Sequence, residues 1–268
     1  MPKQRLDTLL VTLNLCPSRE NAQRLIRAGE VKVNDRVIDK PGTEVDTCAQ
    51  VQILEKPPYV SRGGEKLKKA LNEFKISVEG RICLDGGIST GGFTDCLLQN
   101  GAKQVYGVDV GYGQVAWSLR CDPRLILREK TNFRYLTASE LYGEQPRADL
   151  GVMDLSFISL KKVLEPLWGL LVEPKEVILL VKPQFEVGRT KVGKKGVVRN
   201  FLDQAQAIFA VLQAAQNQGW QYGGLTWSPI TGPAGNIEYL VWLNTIIKSE
   251  FPPLDEIEAF TKLAVSQF

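Results

Sequence analysis

The 268-residue sequence contains no histidine. That absence removes Ser-His-Asp and Cys-His catalysis, HExxH zinc hydrolysis and every imidazole general base. Acid–base work falls instead to Asp, Glu, Lys, Tyr or Cys. The five cysteines, at positions 16, 48, 83, 96 and 121, include no CxxC pair. Their odd number completes no disulfide framework, so neither a zinc knot nor any other metal site is expected. Unpaired thiols suit a reducing cytosol. Long apolar runs are also missing. The longest, such as Val177-Ile178-Leu179-Leu180-Val181, are strand-sized, against the roughly 20 residues of a membrane-spanning helix. The amino-terminal stretch MPKQRLDTLLVTLNL lacks a signal peptide's apolar segment. A cytoplasmic protein without a membrane partner is expected. Its formal charge of +3 is too small to announce a polyanionic ligand by itself.

What is present divides in two. Lys56-Pro57-Pro58-Tyr59 carries consecutive prolines that favour an extended backbone. The expected division is a small domain over 1–58, a linker over 59–62, a larger domain over 63–246, and a tail over 247–268 with a short helix. In the small domain, residues 6–15 read as a helix. Ser18 then resembles an N-cap for a second helix stopped by Gly29. At 100° per residue, Ala22, Leu25 and Ile26 fall on one side of that helix, Arg24 and Arg27 on the other. Residues 31–38 alternate about Asn34-Asp35, a hairpin pattern. Residues 1–40 hold eight basic and five acidic side chains, the whole of the net charge.

Beyond the prolines, apolar strand-like runs at 81–85, 104–109, 125–129, 148–154 and 176–182 alternate with helix-like stretches, notably 92–100 and 201–218. This predicts an α/β, doubly wound, mostly parallel sheet. Residues 221–227 and 237–243 have no long helix between them and predict a closing antiparallel hairpin; residues 254–265 predict a terminal helix.

The most informative local segment is Asp85-Gly86-Gly87-Ile88-Ser89-Thr90-Gly91-Gly92-Phe93, which follows the first strand and opens a helix. In doubly wound folds a nucleotide-like ligand lies there. Asp109 ends the next strand 18 residues after Gly91, close to the usual offset of a ribose-binding carboxylate. A Walker A loop would place Lys and then Ser or Thr after the closing glycine, but Gly92 and Phe93 stand there. The Gly-x-Gly-x-x-Gly dinucleotide spacing is likewise absent. S-adenosylmethionine, cationic and without phosphate, suits an acid followed by glycines and no lysine. A plain glycine-rich turn is the alternative.

Two resemblances sharpen this reading. Ser-Arg-x-x-Ala-x-x-Leu-Ile-x-x-Gly-x-Val-x-Val-Asn, from Ser18 to Asn34, resembles the αL RNA-binding module, which implies phosphate contacts from Arg5, Arg19, Arg24, Arg27 and Lys32. The stretches Val60-Ser61-Arg62-Gly63-Gly64-Glu65-Lys66-Leu67, Asp109-Val110-Gly111-Tyr112-Gly113-Gln114, Asp154-Leu155-Ser156-Phe157-Ile158-Ser159, Val181-Lys182-Pro183-Gln184-Phe185-Glu186-Val187-Gly188 and Gly232-Pro233-Ala234-Gly235-Asn236-Ile237-Glu238-Tyr239 resemble the TlyA family. That family joins an αL module to an FtsJ-type (RrmJ-like) methyltransferase domain with a Rossmann-like sheet.

The resemblance implies S-adenosylmethionine-dependent 2′-O-methylation of cytidine, with ribosomal RNA or ribosomal subunits, small or large, as partner. It carries a Lys-Asp-Lys-Glu tetrad onto Lys66, Asp154, Lys182 and Glu238. In that tetrad Lys182 takes or screens the hydroxyl proton, and the carboxylates orient the lysines. It adds Tyr112, Asn132 and Asp154 to the cofactor residues, although Asn132 stands where many relatives carry an acid. Arg62 joins the RNA contacts. So does the acid-free segment 188–199, through Arg189, Lys191, Lys194 and Lys195, read as a mobile RNA-contacting lid or as a plain solvated loop. A non-catalytic RNA-binding or assembly factor, or the membrane-active hemolysin of the family's other label, are the rival readings.

Overall fold

The computed structural model describes residues 2–54 and 57–268; Lys56, in the expected boundary segment, lies outside the described residues. The chain separates into two units, Met1–Pro57 and Pro58–Phe268.

The first unit runs β1 (Lys3–Arg5), α1 (Leu6–Thr12), α2 (Arg19–Arg27), β2 (Val31–Val33), β3 (Arg36–Val37), β4 (Glu44–Asp46) and β5 (Val51–Ile53). Ser18 caps α2 by accepting the Asn21 amide at 3.2 Å, and Gly29 follows the helix in a left-handed conformation. Ala22 and Ile26 are buried against Leu6, Leu9 and Leu10 of α1, while Arg24 and Arg27 face solvent. β2 and β3 pair antiparallel around Asn34 and Asp35, both at positive φ, the geometry of a two-residue hairpin turn. α1 stops at Thr12 rather than at 15. Leu13 and Leu15 are exposed and Asn14 takes positive φ, so no buried apolar face sustains another turn.

The second unit opens with α3 (Gly63–Phe74), a helix that the sequence reading left unassigned. There follow β6 (Ile82–Gly86), α4 (Gly92–Gln99), β7 (Gln104–Val108), α5 (Trp117–Arg120), β8 (Leu125–Arg128), α6 (Ala138–Tyr142), β9 (Leu150–Met153), α7 (Leu164–Leu170) and β10 (Glu176–Val181). The chain closes with α8 (Pro183–Glu186), α9 (Phe201–Gln218), β11 (Gln221–Trp227), β12 (Tyr239–Asn244) and α10 (Leu254–Val265). The strands form one seven-stranded sheet ordered β11-β12-β10-β9-β6-β7-β8, in which β12 alone is reversed and pairs antiparallel with both β10 and β11.

Both faces of the sheet are covered, one by α3, α4 and α5 through Leu67, Leu97 and Leu119, the other by α6, α7, α9 and α10 through Leu141, Leu164, Ile208 and Ile257. Double coverage explains why β9 and β10 read as continuous apolar runs. α10, expected in a tail, is part of this core. Ile257 and Ala264 are buried, Thr261 Oγ1 donates to the Phe201 carbonyl at 3.0 Å, and Phe260 packs 5.1 Å from Trp227. Residues 59–62, expected as a linker, are likewise tied down, with the Val60 amide donating to Asp95 Oδ2 at 2.8 Å.

Candidate active site

The turn leaving β6 carries the cofactor geometry. Gly87 (φ +84°) and Gly91 (φ +102°) adopt conformations that side chains resist. A Cβ at Gly87 would stand 2.5 Å from the Asp154 carbonyl oxygen, so the turn presses against the end of β9. Gly86 lies beneath, packed on Met153. Asp109 follows β7 and accepts the Ser89 amide at 2.8 Å and the Gly111 amide at 2.7 Å, one on each oxygen. A carboxylate offers about four lone-pair positions, so both oxygens retain capacity for ribose hydroxyls.

Asp85 is fully buried. Thr94 Oγ1 donates to its Oδ2 at 2.6 Å, and its Oδ1 has no partner among the described residues. Burial pushes Asp85 up to about 7, against the Thr94 hydrogen bond and reinforced by the Asp154 and Asp109 charges.

Two cavities meet at this turn. One, of about 410 Å³, is walled by Arg62, Lys66, Thr90, Phe93, Asp154 and Pro233, with Gly92 at its floor. The other, of about 330 Å³, reaches Asp109, Gln114, Phe133 and Ser156 and shares Gly87, Ser89 and Asp154 with the first. Two expected cofactor residues stand apart from both. Tyr112 is 69 % exposed with the Lys130 ammonium 4.5 Å over its ring. Asn132 is exposed, caps the Arg134 amide at 3.1 Å and lines a third cavity with Phe157 and Phe185.

The four tetrad residues come from distant parts of the chain and pair off. Lys66, on the first turns of α3, meets Glu238 Oε2 at 2.5 Å, and both side chains are buried. Lys182, just after β10, meets Asp154 Oδ1, just after β9, at 2.6 Å and donates to Ser156 Oγ at 2.9 Å. Glu238 reaches this edge because β12 runs antiparallel. Its start, Tyr239, lies opposite Val181 at the end of β10. Lys66 and Asp154 line the same cavity. Ser156, which the sequence reading did not single out, fixes the Lys182 ammonium from a second side.

The basic residues fall into groups. In the first unit, the buried Asp7 accepts from Arg5 at 2.9 Å, Arg19 at 3.0 Å and Gln23 at 2.9 Å. These donors, Arg5 foremost, hold the Asp7 carboxyl well below the usual carboxylate range. Arg24 and Arg27 line a shallow groove with Ser18, Glu20, Asn21 and Gln23, and Lys32 is half-buried on β2. In the second unit, Arg62 donates to the Thr231 carbonyl at 2.7 Å at the cavity rim. Arg189, Lys194 and Lys195 are exposed, and Lys191 pairs with Asp203 at 2.7 Å. Segment 188–199, expected as a mobile lid, is anchored: the Val198 amide and the Gly196 carbonyl both bond the Asn236 side chain.

Comparison with known proteins places this geometry. The FtsJ-like methyltransferase family matches residues 59–245, and the S4 domain matches residues 4–51. The 16S/23S rRNA (cytidine-2′-O)-methyltransferase TlyA of Mycobacterium tuberculosis is 48 % identical over 91 % of this chain and 90 % of its own length. Hemolysin A of Brachyspira hyodysenteriae is 39 % identical over 88 % of this chain and 98 % of its own. A solved structure from Streptococcus thermophilus that carries a hemolysin name is 41 % identical, covers 100 % of this chain and 98 % of its own, and superposes with a TM-score of 0.75. Because the first match takes in the whole sheet and every tetrad residue, the chain belongs to the FtsJ-like methyltransferase family, as an S-adenosylmethionine-dependent enzyme with an S4 domain ahead of its catalytic unit.

Proposed function

We propose that this protein transfers a methyl group from S-adenosylmethionine to the ribose 2′-hydroxyl of a cytidine in ribosomal RNA. The observation that carries the reading is the pair of ion pairs, Lys66–Glu238 and Lys182–Asp154, each of which gives one member, Lys66 and Asp154, to the lining of the cavity over the glycine turn. The names of the relatives point to the same substrate, as does the S4 domain with its exposed arginines. Among the described residues no helix is long and apolar enough to cross a membrane, so the hemolysin names find no spanning element here.

The residues fit the cofactor. Asp109 keeps free lone pairs for ribose hydroxyls, and the unpartnered Asp85 Oδ1 beneath the turn supplies negative charge to a cationic ligand. When bound, S-adenosylmethionine supplies an electrophilic methyl on a sulfonium. The chain must do the rest. A 2′-hydroxyl is a feeble nucleophile until it sheds its proton; we assign Lys182 Nζ to that step, taking the proton as the free amine or, as the ammonium, screening the charge left on the oxygen when the proton passes to water. Asp154 and Ser156 hold Nζ from two sides, which restricts it to one approach. The buried carboxylate of Glu238 fixes Lys66 at the opposite wall. Alignment of nucleophile and methyl carbon alone is worth several kcal/mol, about 7–11 in the best intramolecular cases.

The test is incubation with radiolabelled methyl donor and separated ribosomal subunits, followed by mapping of 2′-O-methyl stops. One or both subunits should accept label at a cytidine ribose. Lys182→Ala should bind donor normally and transfer no methyl. Label on a base nitrogen, or full activity in Lys182→Ala, would overturn the assignment.

A further inference from the structure

The basic segment 188–199 and the strand carrying Glu238 are joined by a buried network that methyl transfer itself does not require. Lys194 and Lys195 sit at the tip of a tight turn in which the Gly196 amide donates to the Gly193 carbonyl at 2.8 Å, with Gly196 at φ +76°. Both lysines are exposed and neither forms an ion pair among the described residues. Behind them the turn is fastened by two buried amides. Asn236 Oδ1 accepts the Val198 amide at 2.9 Å and its Nδ2 donates to the Gly196 carbonyl at 2.8 Å. Gln204, from α9, donates to the Val198 carbonyl at 2.7 Å and accepts the Tyr239 hydroxyl. Asn236, Gln204, Val198 and Tyr239 are all at most 2 % exposed.

Asn236 and Tyr239 flank Glu238 along the chain. The Asn236 carbonyl also accepts the Gly232 amide at 2.9 Å, closing a turn that packs on Glu238, since a Cβ on Gly232 would stand 2.6 Å from its Oε1. The same turn contributes Thr231 and Pro233 to the cofactor cavity. The two-lysine tip, the Lys66–Glu238 pair and one cavity wall thus hang on a single set of buried hydrogen bonds, and such bonds are strong and directional where water is excluded.

We propose that Asn236 and Gln204 are positioning residues that couple RNA backbone bound at Lys194–Lys195 to the cofactor cavity, so that RNA and S-adenosylmethionine bind cooperatively. This rests on the functional reading above. RNA phosphates that restrain the 193–198 turn restrain the 231–236 turn through Asn236. The cofactor then binds against a wall held more firmly than its own hydrogen bonds hold it, and linkage makes the effect reciprocal. Full amides serve this better than ionised carboxylates, which only accept, or hydroxyls, which must donate and accept from one atom, because each amide here reaches two separate partners with its oxygen and its nitrogen.

The experiment measures the affinity of the full chain for radiolabelled S-adenosylhomocysteine, an unreactive probe, with and without the ribosomal subunit that accepts methyl. In the wild type the subunit should tighten binding at least fivefold, the lower end of usual coupling. Asn236→Ala and Gln204→Leu should reduce that ratio to less than twofold, while thermal unfolding reports whether each is folded. Tyr239→Phe, which deletes one hydroxyl and no volume, keeps the test available if either unfolds, and should lower the ratio at least twofold. A folded variant with the wild-type ratio would overturn the coupling, as would a wild-type ratio of one. Absence of methyl transfer by the wild type would instead overturn the functional reading.

Discussion

Asp85 concentrates the electrostatic tension of the site in one side chain. It is fully buried, half-satisfied, and raised by burial to about 7. An acid whose folded pKa exceeds its unfolded value stabilises the fold fully below the unfolded pKa, and that contribution is lost as pH rises through about 7. The ionised form that burial disfavours is also the form that attracts a cationic ligand. Affinity for S-adenosylmethionine should therefore rise between pH 6 and pH 8, while the unfolding temperature of the free protein falls over the same interval relative to Asp85→Asn. Calorimetric titration and scanning calorimetry at both pH values read the two effects. In Asp85→Asn the affinity should be weaker and flat with pH; a wild type as flat as the variant would show that Asp85 does not ionise on binding.

At the level of elements, the glycine turn and the end of β9 behave as one piece. Gly87→Ala adds a methyl 2.5 Å from the Asp154 carbonyl oxygen on top of a positive φ. It should cost about 1–3 kcal/mol of stability and weaken cofactor binding at least tenfold. Gly80→Ala is the matched control: φ is +72° but nothing lies within 4 Å of the new methyl. It should cost about 1–2 kcal/mol and leave affinity unchanged. Denaturant unfolding and equilibrium binding of the two variants separate strain from contact with the site.

The elements that could be read from the sequence were those with unambiguous physics. Double burial wrote β9 and β10 as apolar runs, and α9 ends where Gly219 turns left-handed at φ +105°. α3 was hidden because it begins with two glycines and buries a lysine among Leu67, Ala70 and Leu71. Motif resemblance names the four tetrad residues but not their partners. That Lys66 takes Glu238, 172 positions away, and Lys182 takes Asp154 depends on strand order, which charge alone does not encode. Nor did any local pattern mark Asp7 as the buried anchor of Arg5 and Arg19, or Asn236 as the tether of the basic turn.

At the scale of the whole molecule, both units carry exposed cationic side chains suited to the phosphates of the proposed rRNA substrate. In the first unit Arg24 and Arg27 stand out along α2, and Asp7 orients Arg5 and Arg19 without neutralising both. Phosphate contacts release counterions, so binding weakens linearly in log salt with a slope near −0.9 to −0.7 per contact. Arg24→Ala with Arg27→Ala should reduce the slope for ribosomal subunits by about 1.5 in filter binding from 50 to 300 mM salt, and should leave affinity for S-adenosylmethionine alone intact. An unchanged slope would place the first unit's RNA surface away from this groove.

The reversed strand β12 has a consequence for biosynthesis. Because its starting end lies beside the finishing end of β10, a carboxylate at position 238 joins a cluster whose other three members, at 66, 154 and 182, are made earlier. A ribosome must therefore translate past Glu238 before the four side chains can be brought together. A premature stop codon anywhere upstream of Glu238 yields a product that lacks both a tetrad member and the strand next to the edge of its sheet.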